Sequence, residues 1–275
     1  MPRSRAYSGR DNQGVRISGA SQPRVYTRGK SLTFQGRSMT DESATKTRVP
    51  QWEENAKASI KAGIRKFAKP LAELVKRDAN EGDTRLLITD FLCEALGYDK
   101  FEDLTTEYAV RYEFADYGIR INKQLTAFIE VKRAAQELSA KHLRQVETYA
   151  VKEGLEWLIL SNGQHWRVYH VNAATGRQVQ TELSFAVDIL GDESPAKKTE
   201  KLFLIHREAF KKNLIAEDWR RKAATSATAI AHALLSPTVL DAIRKDIRTR
   251  TKYNADVEDI ADVIRGEMAK LGLLT

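Results

Sequence analysis

Three charged residues in the middle of the chain are spaced for chemistry on a phosphodiester. Asp116 stands in Ala115-Asp116-Tyr117-Gly118-Ile119-Arg120-Ile121, and Glu130 and Lys132 stand in Phe128-Ile129-Glu130-Val131-Lys132. Both stretches read as β-strands, and the turn-like Asn122-Lys123-Gln124 between them reads as the tip of a hairpin. With those three residues as the loop, Ile121 pairs with Leu125, and counting back along both strands sets Asp116 opposite Glu130 on one face. Like charges directly opposed across a ladder destabilise it. The pair makes sense around a cation, because opposed side chains lie about 5 Å apart and can reach a single ion. Lys132 shares the face of Glu130, while Ile129 and Val131 point the other way into apolar packing. A solvated strand stitched by a surface salt bridge is the alternative, and the unbroken run Phe128, Ile129, Val131 speaks against it.

Two carboxylates and an ammonium supply what hydrolysis of a phosphodiester requires. Hard carboxylate oxygens suit Mg²⁺, with Mn²⁺ as a substitute, and such an ion polarises the phosphate and lowers the pKa of a water. Lys132 would orient or deprotonate that water, its own pKa lowered by the ion, or else neutralise the pentacovalent phosphate. Asp, a variable gap and Glu-x-Lys is nevertheless a weak pattern in a chain whose residues are 30% charged. The surrounding elements have to supply the specificity.

Upstream, the spacing of Ile60, Ile64, Phe67 and Leu71 predicts a helix from Trp52 to Val75, with Pro70 marking a kink or a break. A second helix starts with Asp83 as its N-cap, runs through Leu86, Leu87, Phe91, Leu92 and Leu96, and closes at Gly97. Strands follow near Glu107–Tyr112, Asp116–Ile121, Leu125–Arg133, Trp157–Leu160 and Trp166–Val171, the last two joined at Asn162-Gly163. A helix from about Gln136 to Glu153, ended by Gly154, separates the third from the fourth. The expected fold class is α/β, a mixed sheet flanked by helices. After Asp192–Ala196 the pattern turns helical, with candidates at Lys198–Leu204, Arg207–Leu214, Glu217–Leu235, Pro237–Thr249 and Val257–Leu271. This divides the chain into a basic arm without a fold of its own (residues 1–50), an α/β domain (51–190) and a helical C-terminal domain (191–275).

The order and spacing of the pieces from about Asn80 to Val171 resemble the PD-(D/E)XK nuclease fold, in particular the N-terminal nuclease domain of type I restriction-enzyme R subunits and its stand-alone relatives. The resemblance rests on Glu81-Gly82-Asp83-Thr84-Arg85, Leu96-Gly97-Tyr98-Asp99, Ala115-Asp116, Phe128 to Lys132, Gln145-x-x-x-Tyr149, and Leu160-Ser161-Asn162-Gly163 followed by Trp166. It implies that Asp116, Glu130 and Lys132 form the catalytic core, that Glu81 adds an acidic residue and metal ligand from the first helix, and that Gln145 and Tyr149 form a helical motif facing the site. Independently of the family, Gln145 and Tyr149 are one helical turn apart, and Tyr149 reads equally well as a core aromatic with a bonded hydroxyl. Glu81 reads alternatively as a first-turn acid favoured by the helix dipole. Ala115 replaces the proline that names the fold. Walker motifs and helicase domains are absent, and Gly29-Lys30-Ser31 fails as a phosphate loop because Arg24 occupies the position of the required glycine.

Composition bounds the partners. Ten Lys or Arg against three Asp or Glu lie within residues 1–50, so that segment holds nearly all of the formal net charge of +8. It reads either as an arm that gains affinity for DNA by counterion release or as a solvated tail. The single Cys93 makes no internal disulfide, and no long apolar run or apolar segment near Met1 is present, so a cytoplasmic location without membrane insertion is expected. Spacing argues against zinc, because the histidines at 142, 165, 170, 206 and 232 lack a second cysteine or a tight pairing. The activity expected is Mg²⁺-dependent hydrolysis of DNA; its rival is a nuclease-fold module that binds or regulates without cutting. The C-terminal helices could carry a protein partner in either case.

Overall fold

A computed structural model describes residues 49–110, 113–172 and 179–273. The basic arm expected over residues 1–50 therefore lies outside the described residues, Val49 and Pro50 excepted. Helix α1 (Gln51–Lys76) buries Ala56, Ile60, Ile64, Phe67, Leu71 and Leu74, a stripe at helical spacing. Pro70 lies inside it without ending it. Because Pro70 is on the exposed side, the carbonyl that its ring leaves without a partner faces water, which is where a helix tolerates proline best.

Helix α2 (Glu81–Glu94) is capped by Asn80, whose side chain accepts from the Asp83 N–H at 2.8 Å. The expectation that Asp83 is the cap is corrected by one turn: Asp83 is the third helical residue, and its carboxylate accepts instead from Arg77 at 2.8 Å. Strands β1 (Leu104–Val110), β2 (Glu113–Ile121) and β3 (Gln124–Val131) form an antiparallel meander. Helix α3 (Ala140–Glu153), ended by Gly154 in the left-handed region, then crosses over to β4 (Trp157–Ser161), which lies parallel to β3. Strands β5 (His165–Asn172) and β6 (Gln180–Asp188) complete a six-stranded mixed sheet in the order β1-β2-β3-β4-β5-β6.

The hairpin between β2 and β3 differs from expectation at its tip and agrees with it at its base. Asn122 and Lys123 alone form the turn, with φ of 52° and 67°, the pair of left-handed residues that a tight two-residue hairpin takes. Ile121 thus pairs with Gln124, not with Leu125. A bulge after Ile119 then adds one residue back, and the register becomes Ile119↔Ala127 and Tyr117↔Ile129. The ladder ends at Tyr117↔Ile129, one step short of Asp116 and Glu130, the pair that the three-residue loop implied.

Each face of the sheet has its own core. Tyr117, Ile119, Ile129, Val131 and Ile159 pack against α1 and α2, while Phe128, Leu158 and Leu160 pack with Val146, Tyr149 and Ala150 of α3. The first core continues into the C-terminal helices. Helix α4 (Pro195–Phe203), α5 (Arg207–Lys211) and α6 (Leu214–Ala224) contribute Leu202, Phe203, Phe210 and Ile215 to it, and the buried Tyr98 hydroxyl donates to the Ile205 carbonyl at 2.8 Å. Helices α7 (Ala227–Leu234), α8 (Pro237–Thr251) and α9 (Val257–Lys270) follow, with a small cluster of their own around Leu240, Ile260 and Ala261. The helix expected over Glu217–Leu235 is two helices, because Ser226 caps a new start by accepting from the Ala229 N–H. Among the described residues no helix is long and apolar enough to cross a membrane.

Helix α1 packs tightly at Gly63 against the C-cap of α2, where an added Cβ would stand 2.3 Å from the Ala95 Cβ. Gly63→Ala is expected to lower stability by about 1–3 kcal/mol through overpacking. Ala95→Gly in the same chain should recover most of that loss in chemical denaturation. A double variant no more stable than Gly63→Ala would mean that the two helices are not in contact there.

Candidate active site

The ladder between β1 and β2 is interrupted at one place. Pairing steps from Thr106↔Tyr117 to Tyr108↔Ala115, passing over Glu107 and Asp116, and Glu107 has φ of 51°, a rare conformation for a residue with a Cβ. The interruption changes what alternation means here. Ala115 and Tyr117, two apart on β2, belong to opposite cores, as do Leu104 and Val110 on β1. Asp116 is the residue at the switch, and its carboxylate turns towards β3, where Oδ2 accepts from the Val131 N–H at 2.7 Å.

Glu130 lies in the middle of the sheet, 3% exposed. Its Oε1 accepts from Lys132 Nζ at 2.6 Å, while Oε2 is buried with no hydrogen-bond partner among the described residues. Burial pushes the Glu130 carboxyl up to about 7, from 4.5 ordinarily; Asp116 and Glu81 push it the same way, and Lys132 holds it down. The Lys132 ammonium is also desolvated, which by itself would lower its pKa, but Glu130, Glu81 and Asp116 outweigh this and raise it. Without a metal ion, Lys132 is therefore a firmly protonated cation. The Lys132 N–H donates to the Ser161 carbonyl at 2.9 Å, which fixes the residue at the end of the β3–β4 joint.

Helix α2 brings two charged side chains to the same place. Glu81 Oε2 is 3.9 Å from Lys132 Nζ, and Arg85, one turn on, stands 3.6 Å from both Asp116 Oδ1 and Glu107 Oε1. Buried Thr84 sets the helix at this height. Its hydroxyl donates to the Asn80 carbonyl and accepts from the Ala134 N–H just past Lys132. Asn162 holds the same segment from the other side by donating to the Gln136 carbonyl at 2.8 Å. Thus Asp116, Glu130, Lys132 and Glu81 come together.

Gln145 and Tyr149 are joined to each other, with Gln145 Nε2 donating to the Tyr149 hydroxyl at 3.2 Å. Gln145 is exposed and Tyr149 is buried in the α3-side core, so the contact runs from the surface inward along α3. His142 closes the first turn of α3, accepting from the Ser139 N–H at Nδ1, and burial together with Lys132 and Lys141 lowers its pKa. Sequence reasoning passed over Arg85, Glu107 and Thr84 as site residues. The i,i+4 spacing of Glu81 and Arg85 was the available signal for Arg85. A glutamate in the left-handed region within a strand has no sequence signature.

Among the described residues no group of three or more His, Cys, Asp or Glu side chains is arranged to hold a metal ion. The orphaned buried Oε2 of Glu130, with Asp116 across from it, is the feature that fits a cation. In comparison with known proteins, residues 80–183 match the family described as type I restriction enzyme R protein N terminus (HSDR_N), a PD-(D/E)XK-like nuclease domain. The matched segment runs from α2 into the first half of β6. No curated protein and no solved structure matches the chain.

The Glu130 carboxyl gives the fold a pH dependence of definite sign. Its folded pKa lies above its unfolded one, so between pH 4.5 and about 7 the folded state holds a proton that the unfolded state has lost, and stability falls as pH rises through that window. Glu130→Gln removes this slope. With chelator present, the variant should gain on the order of 3 kcal/mol over wild type between pH 4.5 and pH 8. Parallel stability-versus-pH curves for the two proteins would show that Glu130 ionises normally.

Proposed function

We propose that the module of residues 80–183 is a metal-dependent deoxyribonuclease, with Mg²⁺ or Mn²⁺ held by Asp116 and Glu130 and with Glu81 at the margin. The observation that carries this reading is the buried, unpartnered Oε2 of Glu130 beside a protonated lysine. A carboxylate oxygen left bare in a protein interior costs stability, and a hard cation is the partner that offsets the cost while using the repulsion between Asp116 and Glu130. When bound, such an ion supplies a Lewis acid for the phosphoryl oxygen and lowers the pKa of water.

The protein's own residues then do three things. Glu130 surrenders the proton that burial lets it keep near neutrality, so binding is coupled to deprotonation and weakens as pH falls below about 7. Lys132, beside Glu130 and 3.9 Å from Glu81, places a positive charge where the phosphoryl group becomes more negative. The two cores flanking β3 pack Phe128, Ile129 and Val131 and so fix the backbone that carries Glu130 and Lys132. The basic segment of residues 1–50 fits a DNA partner through phosphate contacts.

A second reading has one observation in its favour: with no cage of three ligands among the described residues, the module could contact DNA without cutting it. Purified protein on supercoiled, linear and single-stranded DNA, with Mg²⁺, Mn²⁺ or EDTA, separates the two. Cleavage confined to the divalent-ion reactions is expected. Binding without cleavage under every condition selects the second reading.

Mg²⁺ or Mn²⁺ should also raise the melting temperature, by binding the folded state alone. Asp116→Asn and Glu130→Gln should abolish that rise. Lys132→Ala should keep both the rise and the DNA affinity while cleavage falls roughly 100-fold or more, since its charge acts in the transition state. Unimpaired cleavage by Lys132→Ala would remove this residue from the mechanism.

A further inference from the structure

Beside the carboxylates, between the first turns of α2 and the interrupted stretch of β1 and β2, lies an open cleft of about 290 Å³. Gly82, Arg85, Leu86, Thr106, Glu107 and Tyr117 line it. Arg85 is fixed at its main chain. Its carbonyl accepts from the hydroxyls of both Thr89 and Tyr117 at 2.8 Å, which pins this turn of α2 to β2. Its guanidinium lies over the Tyr117 ring, 5.8 Å from its centroid, and 3.6 Å from Asp116 and from Glu107, too far for a hydrogen bond to either carboxylate, and the side chain is 25% exposed. Glu107 is itself 71% exposed and reaches Arg85 from a strained backbone position. A guanidinium offers five donors in a fork that matches two oxygens of a phosphate, so loose contacts to two carboxylates leave most of its capacity unused.

We infer that Arg85 is a phosphate-binding residue of this cleft, parked on Asp116 and Glu107 in the metal-free protein and released to a DNA backbone phosphate when a divalent cation takes Asp116. The inference rests on the nuclease reading above. Arg85 and the cation compete for Asp116, because both are positive and both seek its outer oxygen. Once the cation neutralises Asp116, Glu107 alone remains to hold the guanidinium, and an exposed single-carboxylate contact is weak. A backbone phosphate entering the cleft then offers a paired, charge-assisted partner. Cation binding in this way readies the site for its substrate, and Glu107 sets how easily the arginine leaves.

The test is the salt dependence of DNA binding by the full chain, followed by fluorescence anisotropy of a labelled duplex in Ca²⁺ and in EDTA. One lost phosphate contact lowers the slope of log affinity against log salt by about 1. Arg85→Gln is expected to lose that slope in Ca²⁺ and to keep it in EDTA, where the wild-type arginine is parked. The same variant should reach its half-maximal Mn²⁺-induced melting shift at a lower Mn²⁺ concentration, by about threefold or more, because the competitor for Asp116 is gone. Glu107→Gln, at an exposed position, covers the case in which Arg85→Gln folds poorly: it should raise wild-type-like DNA affinity in EDTA. An equal loss with and without the cation, an unchanged slope in both, or an unchanged affinity in Glu107→Gln overturns the inference. Should wild type bind and cleave DNA while Arg85→Gln behaves like it, the assignment of Arg85 alone falls. Should wild type neither bind in Ca²⁺ nor cleave in Mg²⁺, the nuclease reading falls and takes this one with it.

Discussion

A carboxylate buried in the centre of a sheet is the constraint around which this module is arranged. Glu130 is on β3, which like β4 has an antiparallel neighbour on one side and a parallel neighbour on the other, and it sits between two apolar cores. Removing an ionised group from water is expensive, and a single ion pair with Lys132 does not satisfy both of its oxygens. A sheet built for stability alone would carry valine at that position. Retaining the acid puts its pKa close to neutrality and leaves one oxygen bare, and neither property favours folding.

The rest of the architecture limits the movement of the groups that answer to Glu130. Asp116 is turned to β3 by the Val131 N–H, Lys132 is anchored at its backbone by Ser161, and the start of α2 is tied to the same segment through Thr84 and Ala134. The C-terminal helices take part at one remove. Arg207 pairs with buried Asp103 at 2.5 Å just before β1, and its N–H donates to the Leu96 carbonyl at the end of α2. Residues far along the chain thus brace both elements that flank the cleft.

Much of this was legible in the sequence, for reasons that can be stated. Alternation and turn chemistry marked β2, β3, β4 and β5, and the crossover helix between β3 and β4 followed from Gly154 and its periodic face. The hairpin that carries Asp116 and Glu130 was also legible, though its loop is shorter by one residue and a bulge then shifts the register by one. Strand β6 escaped because it is an edge strand. Only Phe185 and Val187 of its length are buried, and Thr181, Glu182 and Ser184 read as loop. The roles of Arg85 and Glu107 escaped for a different reason, since they depend on a left-handed residue within a strand, and such distortions arise from tertiary context.

The parallel joint between β3 and β4 has a consequence for how the chain reaches its native state. On either side of it the strands are linked by short-range antiparallel pairings, β1 to β3 in one meander and β4 to β5 in the other, which close small loops. Pairing Glu130 with Leu160 and Val131 with Ser161 instead spans the whole of α3. Contacts of that range carry a larger loop-closure cost than the local pairings. Because the Lys132 amide is held from Ser161, Lys132 is placed only when this seam closes. A chain caught just short of the native state would hold most of its secondary structure yet lack the arrangement around Glu130 and Lys132.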